Sequence, residues 1–549
     1  MRNLLAITKE ICYNITVHYV YKLYIQSATR RIIMNYYLLF NNKVPSIISG
    51  DSHDVFTERD LCLESIKAAL TELVVDYPVE FLSFIPENKE LAEYRLSIFE
   101  ELINGECLTE IADILADIEL LINEREITDS FTYRNQRIIS QVYLSHKFLR
   151  LIIRIIAFLK EFNSEGLKRV GEMFVAYFSD DMQKRFEKLC RITEVLDEKL
   201  SIGIEVNFKK LTLAISETVV ETDKEIQTLD DICKNIFGKS LSTHFSIADN
   251  ISIMKPEMIT LEYILNDNNG LMSDIESVID TDLNWELLEN FQKQIKFYYG
   301  YLLLIQKLNE RSIDFCIPVF GENRIHAEAL CDMTLAVSSI NTNEIVTPNN
   351  ISLQYGQNGA VITGANQGGK TVFLRSIGSA CYLAMCGCPV PAKYFQLQPL
   401  DNIYTFFVNE EDNSLQNSKF ETEIKNYASV MNRFTDKTLV LFNEYFVSTN
   451  RRYGISILTQ CIEKIIEKDG IFLCVTHMGE ISGNFDAALN SRIVYYVAEV
   501  DTADGNRRTY CIVEKQPEGI AYAHDIAEKC GITYEKLRTK LLSIAGGAH

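Results

Sequence analysis

Residues 364–371 read Gly364-Ala-Asn-Gln-Gly-Gly-Lys370-Thr371, which fits G-x-x-x-x-G-K-[ST] at each defined position. No other feature constrains the fold as tightly. Such a loop turns backbone N–H groups inward around phosphate oxygens, and it needs a strand before it and a helix after it. Both patterns are present. Ala360–Thr363 is short and apolar, and Phe373–Cys386 carries apolar positions at helical spacing. The sequence therefore predicts an α/β domain with a phosphate-binding loop. Lys370 is expected to bridge the β- and γ-phosphates of ATP, and the Thr371 hydroxyl to bind Mg2+. A glycine-rich turn that holds nothing is the competing reading, and the strand–loop–helix order argues against it.

The surrounding pattern agrees. From about residue 321, short β-branched runs alternate with amphipathic helices, as a largely parallel sheet requires. Thr438–Phe442 and Ile471–Val475 read as further buried strands, and Phe420–Phe434 and Gly454–Glu467 as helices. Arg492–Val500 and Arg508–Val513 read as an antiparallel pair around Asp504-Gly505. The strand from Thr438 ends in Asn443-Glu444 at its carboxyl edge, where sites of α/β sheets lie. Glu444 is placed to polarise an attacking water. Asn443 stands where an Asp ordinarily helps hold Mg2+, and an amide oxygen accepts hydrogen bonds without carrying charge. The strand from Ile471 ends in Thr476-His477, so His477 is a candidate γ-phosphate sensor or a structural histidine.

Upstream, residues from about 55 to 320 carry helical periodicity almost throughout. Ile111, Ile114, Leu115, Ile118, Leu121 and Ile122 recur at steps of three and four. Lys+Arg is 54 against Asp+Glu 75, a formal charge of −21, so a basic surface spread over the whole chain is excluded. Nucleic-acid contact would need a local patch, for which Arg150, Arg154, Lys160, Lys168 and Arg169 are the candidates; each is also what an ordinary solvated helix face carries. The most apolar run, Phe148–Phe158, is interrupted by Arg150 and Arg154, so no membrane span is expected. The 14 cysteines show no zinc spacing, and no secretory signal is read at the start; buried thiols and a cytoplasmic location are expected.

Together these motifs resemble the MutS family of mismatch-repair ATPases. The likeness runs from Ile345 to about Ile532: ITGANQGGKT (362–371), FLRSIG (373–378), VPAKYF (390–395), Ser418-Lys-Phe420-Glu-Thr-Glu423, LVLFNE (439–444), Ser448-Thr449, Thr476-His477 and AYAHDIAEKCGI (521–532). The resemblance implies an ABC-type P-loop ATPase domain over 331–520 and a C-terminal helical dimerisation element at 521–549. An all-α core and lever region is implied over 55–330, with a reduced clamp within 200–290, behind an extension at 1–54. It implies that Gly364, Gly368 and Gly369 line the loop, that Asn366 contacts phosphate or metal-bound water, and that His477 sits near the γ-phosphate. Ser418 would reach the nucleotide of the opposite subunit of a homodimer, and Ile345 and Val346 would pack on adenine or serve as strand residues. DNA bound without sequence preference would be the partner. Phe56-Thr-Glu58 and Phe99-Glu-Glu101 spell the family's wedge tripeptide, but three residues are a cheap match and neither is assigned that role. Direct mismatch readout is not expected. The alternative is a nucleotide-dependent interaction protein with little hydrolysis and no DNA affinity.

Overall fold

A computed structural model of the chain describes residues 55–82, 89–105, 107–132, 134–194, 196, 201–207, 210–216, 269–279, 283–342, 344–364, 366–408, 419–501, 507–517, 534 and 536–538. The chain divides into two compact units: Met1–Glu106 with Lys296–His549, and Cys107–Ile295.

The first unit is built on a six-stranded sheet. Its members are β6 (Gly359–Gly364), β8 (Asn402–Phe407), β9 (Thr438–Asn443), β10 (Ile471–Val475), β11 (Ile493–Asp501) and β12 (Arg507–Glu514), in the order β12-β11-β6-β10-β9-β8. All neighbours pair in parallel except β11 and β12. The central strands β6, β9 and β10 are buried along almost their whole length, which is why they read as continuous apolar runs. Register brings their carboxyl ends level: Val475 pairs with both Ile362 and Asn443. The helix Lys370–Met385 packs so closely on this sheet that a Cβ on Gly378 would stand 2.5 Å from the Leu441 side chain.

A second sheet has four short strands, β3 (Val319–Phe320), β4 (Ile325–Leu330), β5 (Asn349–Leu353) and β7 (Tyr394–Leu397), ordered β3-β7-β4-β5. Two of them lie before residue 331, so the α/β unit starts ahead of the expected boundary.

The expected helical region at 55–330 does not stay together either. Its first part belongs with the α/β unit, held there by long-range bonds. Thr57 Oγ1 donates to the Ile403 carbonyl at 3.1 Å, Thr405 Oγ1 to Asp60 at 2.7 Å, and the Tyr382 hydroxyl to Glu58 at 3.0 Å. Arg95 is only 1% exposed and donates to the carbonyls of Phe81 (3.1 Å) and Cys386 (2.9 Å). Its guanidinium also lies over the Phe297 ring, within an aromatic cluster that includes Phe99, Tyr298 and Tyr301. Phe99 is fully buried in that cluster, so the tripeptide Phe99-Glu-Glu101 is not placed to stack on a base.

The second unit holds helices Leu108–Ser130, Arg134–Leu159, Glu165–Tyr177, Asp180–Glu194 and Asn269–Val278, with the beginning of Trp285–Asn309. It is not all helical. β1 (Ser201–Asn207) and β2 (Lys210–Ser216) form an antiparallel hairpin in register from Ser201–Ser216 to Asn207–Lys210. The sequences SIGIEVN and KLTLAIS alternate apolar and other residues with the period of a strand, and that period overrides the helical neighbourhood. Of the candidate cations, Arg154 is paired with Asp117 (2.6 Å) and Asp113 (3.4 Å), and Arg169 with Glu165 (2.5 Å). These two serve the helix surface rather than a free basic patch.

No described helix is long and apolar enough to cross a membrane. The described cysteines are free thiols, and burial pushes those of Cys388 and Cys461 up to about 12.

Replacing Arg95 by Met keeps the apolar stem but leaves two buried carbonyls without their donor. The expected cost is about 2–4 kcal/mol, read by urea denaturation; a variant as stable as the parent removes Arg95 as the tie.

Candidate functional site

The site forms where β6, β10 and β9 end. Gly364 closes β6 at φ +117° and Gly369 opens the following helix at φ +91°, backbone conformations that favour glycine. Between them Gln367 also takes a positive φ, of 60°. These turns carry the chain back on itself and aim the start of helix Lys370–Met385 at a cavity of about 700 Å3. Lys370 is 5% exposed, borders this cavity, and donates through Nζ to the Gly364 carbonyl at 3.0 Å. Burial lowers its pKa from the ordinary lysine value, against a smaller opposing effect of the Glu444 charge. A buried ammonium at a helix N-terminus is an anion site by construction.

Thr371 Oγ1 lies 3.0 Å from Asn443 Oδ1, to which it donates. The two residues expected to share a cation thus meet as hydroxyl and amide. Both are oxygen donors of the kind Mg2+ accepts, but the pair carries no charge. Among the described residues no group of three or more His, Cys, Asp or Glu could hold a metal ion. The pair fits a divalent cation only as two neutral oxygen donors.

Glu444 borders the same cavity. Its backbone lies at φ 51°, and its N–H donates to the Val475 carbonyl at 2.9 Å. A non-glycine residue in this left-handed region costs about 1 kcal/mol or more, and the sharp turn swings the carboxylate off the strand line. His477 lies beyond, with Nδ1 4.0 Å from Glu444 Oε2, too far for a hydrogen bond. It does not line the cavity.

Asn366 and Gly369 line the cavity; Gly368 is buried and does not. Ile345 and Val346 line it from the stretch before β5, and Ile345 is 95% exposed, outside any strand. Ser418 and the segment 521–532 lie outside the described residues.

Tyr510 had no signal in the local pattern, and the bond between the motif segments at Glu423 and Ser448 had none either. Tyr510, half exposed on β12 at φ 60°, borders the cavity. Its carbonyl accepts from Asn349 Nδ2 at 3.2 Å, which ties the outer strand to the mouth. Glu423, 4% exposed on helix Lys419–Met431, accepts a 2.7 Å bond from Ser448 Oγ, while its carbonyl accepts from the Tyr445 hydroxyl at 3.0 Å. These bonds join that helix to the turn just after Glu444.

Residues 360–536 match MutS domain V. Endonuclease MutS2 of Shouchella clausii (strain KSM-K16) is 28% identical over 191 residues, 34% of this chain and 23% of that protein. DNA mismatch repair protein MutS 2 of Halobacterium salinarum is 29% identical over 186 residues, 34% of this chain and 21% of the relative. Endonuclease MutS2 of Gemmatimonas aurantiaca is 29% identical over 137 residues, 25% and 17% of the two chains. The matched stretch spans about a fifth of the length of these curated relatives. The resemblance carried by the motifs holds across these residues.

Ser448→Ala removes the donor from a buried carboxylate. A loss of about 1–3 kcal/mol is expected, visible as a lowered thermal midpoint. Adding Glu423→Gln should recover part of it; no recovery would mean that the bond is incidental.

Proposed function

We propose that this chain, a member of the MutS family through its residues 360–536, binds and hydrolyses ATP at the β6–β9–β10 edge and uses that cycle to engage DNA in repair or recombination. The observation that carries the reading is the convergence of Lys370, Thr371 and Glu444 on one cavity, with Asn443 bonded to Thr371 behind it. Its volume of about 700 Å3 falls in the range of about 300–1,000 Å3 found for small-molecule sites.

In this reading each residue has a task. Lys370 neutralises the triphosphate, and the helix behind it adds the partial positive charge of its first N–H groups. Ile345 and Tyr510 border the mouth, where an apolar side chain and an aromatic ring suit a purine base. Glu444 accepts the proton of the attacking water. Mg2+, when bound, would sit at Thr371 with the Asn443 oxygen and supply neutralisation of charge on the transferred phosphoryl group. A second copy of the chain, through Ser418, would complete the site, so that nucleotide state and dimer geometry are coupled. DNA would be held mainly through its phosphates, with affinity falling steeply with salt.

A second reading has its own support. The neutral Asn443, the charge of −21 and the pairing of Arg154 and Arg169 within their own unit favour a nucleotide-dependent interaction protein with slow hydrolysis. Filter binding of duplex, mismatched and branched DNA with and without ATP separates the two. Salt-sensitive retention supports the DNA role; none at low salt supports the other.

For the site itself, Lys370→Ala should abolish nucleotide uptake in calorimetry. Glu444→Ala should keep uptake and lose hydrolysis by about two to four orders of magnitude. Normal turnover by Glu444→Ala would remove that residue as the base.

A further inference from the structure

We infer that Arg508 is a positioning residue for triphosphate binding: it acts through Gln367, and the β11–β12 hairpin that carries it is the outer mould of the phosphate loop. The inference rests on the nucleotide-site reading above and adds the part of the fold that holds the loop in its binding shape.

Gly364, Gln367 and Gly369 take a left-handed backbone, and each meets the hairpin. Gly364 pairs with Ala498 on β11, so closely that a Cβ on the glycine would stand 2.9 Å from the Ala498 nitrogen. A Cβ on Gly369 would lie 3.6 Å from Tyr510 Cδ1 on β12. Gln367 Oε1 accepts a 2.5 Å bond from Arg508 Nη1, also on β12. The two glycines adopt their conformation freely, because they carry no Cβ. Gln367 does not. A residue with a side chain at φ 60° is strained, and such strain persists where the surroundings over-determine the conformation. The bond from Arg508 supplies a directional, charge-assisted hold on that side chain.

The hairpin gives Arg508 a firm seat. Arg508 pairs with Val500, and the register then shifts, so that Glu499 alone faces Thr509, Tyr510 and Cys511 before Ala498 pairs with Ile512. Side chains close this bulge. Thr509 Oγ1 donates to the Glu499 carbonyl at 3.0 Å and accepts the Cys511 N–H at 3.2 Å. From the other side, Asn349 Oδ1 accepts the Ile512 N–H at 2.7 Å and Asn349 Nδ2 donates to the Tyr510 carbonyl at 3.2 Å. The Asn349 amide thus pairs with β12 as a further strand's backbone would. Bulges beside functional sites re-aim side chains. Gln367, Gly369, Tyr510 and Asn349 all line the cavity, and the route from Arg508 to a bound anion runs through Gln367. A loop held in shape before the ligand arrives spends less of the binding energy on ordering.

The experiment is calorimetric titration of the full chain with ATP and with inorganic tripolyphosphate, for the parent, Arg508→Ala, Arg508→Lys, Gln367→Ala and the double variant Arg508→Ala/Gln367→Ala. Arg508→Ala and Gln367→Ala should each weaken both ligands about tenfold, with the thermal midpoint of the nucleotide-free chain unchanged. Arg508→Lys keeps a donor and should recover part of the loss. Once Gln367 is replaced, removing Arg508 should change Kd by no more than about twofold. Parental affinity in Arg508→Ala or Gln367→Ala overturns the inference. A loss from Arg508→Ala that is equally large with and without Gln367 assigns the arginine to the anion itself and overturns the positioning role. Absence of uptake of both ligands by the parent overturns the nucleotide-site reading and this inference with it.

Discussion

The architecture at the sheet edge turns on an unfavourable placement. Lys370 carries its ammonium almost out of water, at the end of a helix where the backbone dipoles are themselves positive. Two like electrostatic sources are held together, and one carbonyl, that of Gly364, is a visible oxygen partner. Such a placement is costly in isolation, and burial accordingly weakens the hold of Lys370 on its proton. It becomes favourable when an anion enters. The positive-φ positions at Gly364, Gln367 and Gly369 and the tight seat of Gly378 on Leu441 keep the lysine where this is so.

The neighbouring strand ends follow from that constraint. The hydroxyl of Thr371 and the amide of Asn443 close the gap between the loop and β9, and the left-handed backbone at Glu444 turns an acid back toward the lysine. The bond from the Glu444 N–H to the Val475 carbonyl fixes that turn against the middle strand. Behind it, Ser448 and Tyr445 reach Glu423, so the helix Lys419–Met431 is bonded to the same turn. A shift of the helix is therefore felt at the acid through a short chain of bonds, the kind of contiguous contact that lets two sites influence one another.

How much of this was legible depends on how local its cause is. Strands β6, β9 and β10 are buried on both faces, so their apolar runs announced them, and the loop spelled out its own chemistry. The four-stranded sheet did not show, because Val319–Phe320 and Tyr394–Leu397 are too short to display a period and gain their partners from distant parts of the chain. The hairpin Ser201–Ser216 was hidden by its helical neighbours, although its alternation is plain once seen alone. The attachment of residues 55–106 to the α/β unit had no signature either. Arg95 reads as one more charged helix residue until Phe81, Cys386 and Phe297 surround it. Tyr510 shares that invisibility: its strand was expected, but its place at the cavity mouth is set by Asn349, more than a hundred residues away.

The buried thiols have a practical corollary. Alkylating reagents attack the thiolate, and Cys388 and Cys461, held near 12, form almost none at neutral pH while the fold is closed. Cys388 follows the helix that carries Lys370, and Cys461 lies on the helix Arg451–Glu467 packed beside the sheet. The rate at which each is modified is then a clock for how often its own part of the interior opens, readable peptide by peptide by mass spectrometry and without any introduced label.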